Sequence, residues 1–167
     1  MDERTTVLSR ALRDAMEQET ALFTDLREQM DRLRDSLQEK KWTAGLGLTQ
    51  GIERFSRRIE EADTARDAVF VELREALGLP RETAFSAVLP SLPDADRVVL
   101  EESWRNLRMS VVKLKTATSR MRYSAETLAD TFNRALEEIF PYRKGRLYSR
   151  RGKTTSVNDS LLVDRKL

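Results

Sequence analysis

The sequence predicts an all-α protein: an elongated antiparallel bundle of three long helices with coiled-coil-like packing, followed by a flexible basic C-terminal tail. Three observations lead there. Glycine (6) and proline (4) are scarce among 167 residues and fall in a few clusters, leaving 1–44, 52–77 and 94–140 uninterrupted. Both residue types are unfavourable inside helices, so the uninterrupted stretches read as helices. Within each stretch, apolar residues recur at alternating steps of four and three, the 3.5-residue repeat of helices packed lengthwise. From Tyr142 onward no such repeat exists. The bundle is expected over 1–141, with helices at about 3–42, 48–78 and 94–140, and the tail over 142–167.

In the first helix the seam runs through Leu12, Met16, Glu19, Phe23, Leu26, Met30, Leu33 and Leu37. Gly45 and Gly47 lie where the chain is expected to reverse. The second seam, from Leu48 through Phe55, Ile59, Ala62, Arg66 and Val69 to Leu73, ends before Gly78 and Pro80. Such a glycine reads as a C-cap and the proline as a residue that cannot continue the helix. Residues 81–89 form a connector with room for a short helix. Asp94 and Asp96 suit the positive end of the third helix, and Asp94 can cap it. Its seam starts at Leu100, Trp104, Leu107, Val111, Leu114 and Thr118 and continues to Ile139, before Pro141 stops it.

A hairpin of the first two helices centred between residues 42 and 43 brings together seam residues whose numbers add to 85. Leu12 then meets Leu73, and the only two charges in these seams, Glu19 and Arg66, also meet. Any slip leaves each charge against an apolar layer, so the pair is expected to set the register.

Composition excludes much chemistry. The chain has no cysteine and no histidine, so it lacks thiol nucleophiles, thiolate metal sites and the commonest neutral-pH base. Adjacent carboxylates such as Glu101 and Glu102 point about 100° apart on a helix and do not converge on a substrate. No phosphate loop, nucleophile elbow or metal-ligand spacing is present. The sequence predicts no catalysis, metal, cofactor or small-molecule substrate. With neither an apolar leader nor a membrane-length apolar run, a cytoplasmic location is expected.

Charge is uneven. From Tyr142 to Leu167, eight Lys/Arg against two Asp give +6, which leaves −4 on the rest of a chain whose net charge is +2. Basic residues around Tyr148 could serve phosphate-and-stacking contacts, but the acidic body favours a solvated terminus over nucleic-acid binding. A helical interaction protein fits better. The third helix broadens its apolar face toward its end with Val112, Ala129, Leu136 and Phe140 beside the seam. Leu128, Phe132, Leu136 and Phe140 are the candidate groove for a partner helix; the plainer reading buries them in the bundle.

This arrangement resembles the FlgN-type flagellar export chaperones: a long first helix, a second helix, a connector, and a long third helix before a tail. The resemblance extends to Leu12, Glu19, Phe23 and Leu26, to the second-helix end from Arg66 to Gly78, and most specifically to Leu147-Tyr148-Ser149-Arg150-Arg151-Gly152. Where the family often carries asparagines midway along the third helix, this chain has Thr116 to Arg120. The resemblance implies a chaperone that binds C-terminal helical segments of hook-associated proteins and brings them to the export gate. It also implies gate docking through Tyr148, with Gly152 permitting a turn. A cytoskeletal or scaffolding coiled coil is the alternative, and a stable homodimer without cargo would mark it.

Overall fold

The computed structural model describes residues 3–139 and the backbone at 147–148 and 154–155. The architecture is all-helical apart from one minimal ladder. Helix α1 spans Glu3–Gln38, α2 Trp42–Ala76, α3 Phe85–Val88 and α4 Asp94–Ile139, with a 3₁₀ turn at Leu89–Ser91. Strands β1 (Leu147–Tyr148) and β2 (Thr154–Thr155) pair antiparallel, Leu147 opposite Thr155 and Tyr148 opposite Thr154. The chain divides into two compact units, Met1–Ser124 and Ala125–Leu167. The expected flexible tail falls mainly outside the described residues; where the backbone is described, it carries this two-residue ladder.

The reversal between α1 and α2 differs from expectation. It is made by Glu39, Lys40 and Lys41, and α2 begins at Trp42 rather than near residue 48. Lys40 adopts φ 59°, the only positive value at a non-glycine among the described residues. Its amide donates to the Leu37 carbonyl at 3.2 Å, and the Lys41 amide to that of Ser36 at 2.9 Å. This is a Schellman motif with lysine in the left-handed position. The second helix ends in the same motif built as expected: Gly78, at φ 67°, donates to Glu75 at 3.0 Å, and Leu79 to Arg74 at 2.9 Å. Gly45 and Gly47 thus lie inside α2 instead of in a turn, and Gly51 lies within it as expected. A Cβ on Gly45 would stand 3.6 Å from Leu33 Cδ1, an ordinary contact, and one on Gly47 would meet nothing.

Residues far apart in sequence show that α1 and α2 run antiparallel. Gly45 lies beside Leu33, Gly51 beside Gln29, and Arg66 bonds Glu19. Near the turn the paired numbers add to about 80, as a reversal at Lys40 requires; for Glu19 and Arg66 they add to 85. The direction of helical side chains accounts for the difference. Each leans toward its own N-terminus by roughly three to four positions. In an antiparallel pair, Glu19 and Arg66 therefore lean toward each other, and side chains meet whose Cα atoms are out of step.

The core gathers around the end of α1 and α2 remote from the turn. Leu8, Leu12 and Met16 of α1, Leu73 of α2, Val88 and Leu92 of the connector, and Leu100 and Leu107 of α4 form one buried cluster. Leu12 and Leu73 are fully inaccessible. The connector docks through rings: Phe85 lies 5.9 Å from Phe70 and 4.9 Å from Trp104 between centroids. The Arg74 guanidinium sits 4.4 Å from the Phe70 centroid and donates to the carbonyls of Arg81 and Thr83. A cation–π contact and two carbonyls thereby tie α2 to the loop that leads into α4.

Along α4 the buried positions are Leu100, Ser103, Leu107, Ser110 and Ala117, so the most deeply covered line alternates leucine with small residues. The apolar seam through Trp104, Val111 and Thr118 lies one position to the side and is half-buried. The small residues of the inner line are covered with little side-chain volume, and leucines fill the space between them. The Ser110 hydroxyl satisfies itself by donating to the Leu107 carbonyl at 2.7 Å. At the helix start, Asp94 lies within the first turn and pairs with Arg97 at 2.7 Å, so its carboxylate serves the dipole and an ion pair instead of a cap.

Glycine and lysine are thus exchanged relative to backbone demand at the first reversal. Lys40→Gly is expected to raise unfolding free energy by about 0.5–1 kcal/mol by relieving the left-handed strain. Gly47→Ala is expected to add about 0.5–1 kcal/mol through helix propensity. Gly78→Ala should lose about 1 kcal/mol. Urea titration followed by helical circular dichroism checks all three signs.

Candidate functional site

Of the four candidate residues for partner binding, Leu128, Phe132, Leu136 and Phe140, the described ones divide by exposure. Phe132 is 63% exposed, while Leu128 and Leu136 are half-buried. Phe140 lies outside the described residues. Ile139, the last residue of α4, is 67% exposed. At helical spacing, Leu128, Phe132, Leu136 and Ile139 fall on one side of α4, with Ala135 among them, so one stripe of this unit is apolar and accessible. Burying a side chain such as Phe132 or Ile139 against a partner is worth roughly 1.5–3 kcal/mol each. In sequence Ile139 is simply part of the seam; its exposure is what marks it as a surface residue.

Tyr148 belongs to β1, its backbone opposite Thr154. Gly152 lies outside the described residues. Midway along α4, Thr116 donates to the Val112 carbonyl and Thr118 to that of Leu114, both at 3.0 Å. Both hydroxyl protons are spent on the helix itself, so these positions cannot offer a partner what an asparagine amide would.

Glu19 and Arg66 meet within the first unit. Arg66 Nη1 donates to Glu19 Oε2 at 2.8 Å, with the Glu19 side chain 3% and the Arg66 side chain 17% exposed. Arg66 Nη2 turns to the rim, where Asp63 and Asp67 accept from it. Burial pushes the Glu19 carboxyl above the ordinary glutamate value of 4.5; Arg66 opposes that shift and Asp63 adds to it. The arginine thus offsets only part of the cost of burying the carboxylate.

A family model described as FlgN protein matches residues 4–156, which is nearly the whole chain. The chain belongs to the FlgN family. This is a family of chaperones of flagellar protein export rather than of enzymes, so a flagellar export chaperone role and a protein partner follow for this chain. No curated protein and no solved structure matches the chain significantly. Among the described residues, no helix is long and apolar enough to cross a membrane.

The ion pair makes an asymmetric prediction. At about pH 7, Arg66→Met should cost roughly 3–5 kcal/mol, because it strands a buried carboxylate beside Asp63 and Asp67. Glu19→Gln should cost less, since Arg66 keeps both aspartates. Because the folded chain binds the Glu19 proton more tightly than the unfolded chain, this group adds stability as pH falls through its raised pKa toward 4.5. The gap between the two variants should therefore narrow on acidification. Urea titrations at neutral and mildly acidic pH measure it.

Proposed function

We propose that this FlgN-family protein is a cytoplasmic chaperone of flagellar type III export that binds C-terminal helical segments of hook-associated, hook–filament junction proteins and delivers them to the export gate. The observation that carries the cargo reading is the accessible stripe of Leu128, Phe132, Leu136 and Ile139 on the last turns of α4. Phe140 extends it in sequence. An amphipathic helix laid on that stripe would bury its own apolar face, which lowers the concentration of free, association-prone cargo. The working body in this reading is an elongated antiparallel bundle of three long helices with coiled-coil-like packing, held in register by Glu19 and Arg66. Gate docking falls to Tyr148, whose ring can supply most of a small contact's energy. Gly152 permits the accompanying turn, and the flanking arginines steer toward an acidic surface. The mechanism uses no bond chemistry, cofactor, metal or nucleic acid.

Phe132→Ala tests the cargo surface. Because the ring is 63% exposed, helicity and unfolding free energy should hardly change. Affinity for the C-terminal segment of a hook-associated protein should fall about tenfold or more. Unchanged affinity would refute the assignment. A stable dimer of the isolated chain that buries Phe132 would favour the self-associating scaffold. Tyr148→Ala should leave cargo affinity intact while reducing gate association and export in a pull-down and secretion assay. Equal loss of cargo binding would place the tail in the cargo site.

A further inference from the structure

The first unit contains a second surface, built from residues that the cargo stripe does not use. Thr20, Phe23, Thr24 and Arg27 of α1 and Asn106, Met109, Ser110 and Lys113 of α4 line a half-open cleft of about 270 Å³. Each of these α1 residues has an α4 counterpart 86 positions on, so the two helices run parallel and in step along the cleft. No Asp or Glu lines it. Several arginines pair with neighbouring acids, as Arg13 does with Asp14 and Arg34 with Asp35, and others do not. Arg27 and Lys113 make no ion pair or hydrogen bond among the described residues, and Arg27 Nε is buried without a partner.

An unpartnered buried guanidinium nitrogen is costly, and a carboxylate is the partner its fork geometry fits. We propose that this cleft is a docking site for an Asp or Glu side chain carried by a helical segment of a partner protein. The donor inventory selects the ligand. Thr20, Thr24 and Ser110 donate their hydroxyl protons to carbonyls of their own helices. The cleft lies mid-helix, where backbone amides are engaged, so no amide nest cradles a phosphate. What remains is two cations and the Asn106 amide, flanked by the apolar walls of Phe23 and Met109. That combination suits a carboxylate on an amphipathic segment.

The groove also repeats. One heptad further on, Arg34 and Gln38 of α1 and Ser119, Arg120, Tyr123 and Ser124 of α4 line a more open hollow. Arg34 is already held by Asp31 and Asp35, so Arg120 is the cation this second station offers. Its distance from Lys113 is about 10.5 Å along the helix, the spacing of acidic residues seven apart on a partner helix. The chain's own tail is a poor occupant, because its net +6 charge repels both stations.

The test uses the full chain and a synthetic amphipathic helical peptide with glutamates seven residues apart, beside the same peptide with glutamines. The ¹⁵N-resolved Nε–H resonance of Arg27, identified by its loss in Arg27→Lys, should shift with the glutamate peptide and not with the glutamine peptide. Arg27→Lys and Lys113→Gln should each weaken glutamate-peptide binding about tenfold, while Arg57→Gln on α2 leaves it unchanged. An Arg27 resonance unmoved by the glutamate peptide would overturn the proposal in the wild-type protein, independently of any variant's folding. So would equal weakening by Arg57→Gln, which signals general charge attraction. A shift with sodium phosphate alone would assign a small-anion site, and a shift on concentrating the chain alone would assign a second copy; either result also overturns it. None of these outcomes bears on Phe132 and the cargo stripe.

Discussion

The Glu19 carboxylate, buried against Arg66, makes the one ion pair between the first two helices among the described residues. It is almost wholly covered and its pKa is raised, so burial outweighs the favourable pull of Arg66. A hairpin shifted by one heptad would set it against Ile59 or Leu73 in place of Arg66. The arrangement observed supplies one charge-assisted bond at 2.8 Å and lets Asp63 and Asp67 hold the rest of the guanidinium at the rim. An ion pair of this kind adds little to net stability but makes alternative registers much worse.

With α1 and α2 so aligned, Leu12, Met16 and Leu73 meet in one layer system that the connector and α4 complete. The connector enters this core through Val88 and Leu92 and is clamped by the Phe70, Phe85 and Trp104 rings. That docking sends α4 back alongside α1 in the same direction. Because side chains of parallel helices lean the same way, their offsets cancel. This accounts for the constant 86-residue step along the cleft, where the antiparallel pair α1 and α2 shows a drift.

Function then divides along the chain by exposure. Up to Ala117, α4 buries Ser103, Ser110 and Ala117 along its inner line, and Leu100 and Leu107 are consumed in the core. From Leu128 on, the same seam pattern is half-buried or open, as Phe132 and Ile139 show. A repeat that looks uniform in sequence therefore serves two ends, internal packing first and an accessible apolar stripe later. The cationic cleft belongs to the first part and takes its charge from Arg27 and Lys113, which lie outside every apolar seam.

By itself the sequence determined the number, order and approximate extent of the helices, because propensity and apolar period are local properties that glycine and proline interrupt. It also held the membership of the FlgN family and the meeting of Glu19 with Arg66, since two lone charges in apolar seams have few places to go. The position of the first reversal was not legible. Lysine at Lys40 takes a left-handed conformation that glycine usually supplies, and the nearby glycines sit inside α2. Nor could the period tell which leucines and phenylalanines are core and which are surface, because a heptad records a side chain's face and not whether another helix covers that face. The inner line of α4 is hidden in the sequence for a related reason: serine is polar in composition, yet Ser110 is buried because its hydroxyl bonds its own helix. Only the tertiary structure brought Arg27 and Lys113 to one cleft, because their proximity depends on the parallel step between α1 and α4, which no local pattern encodes.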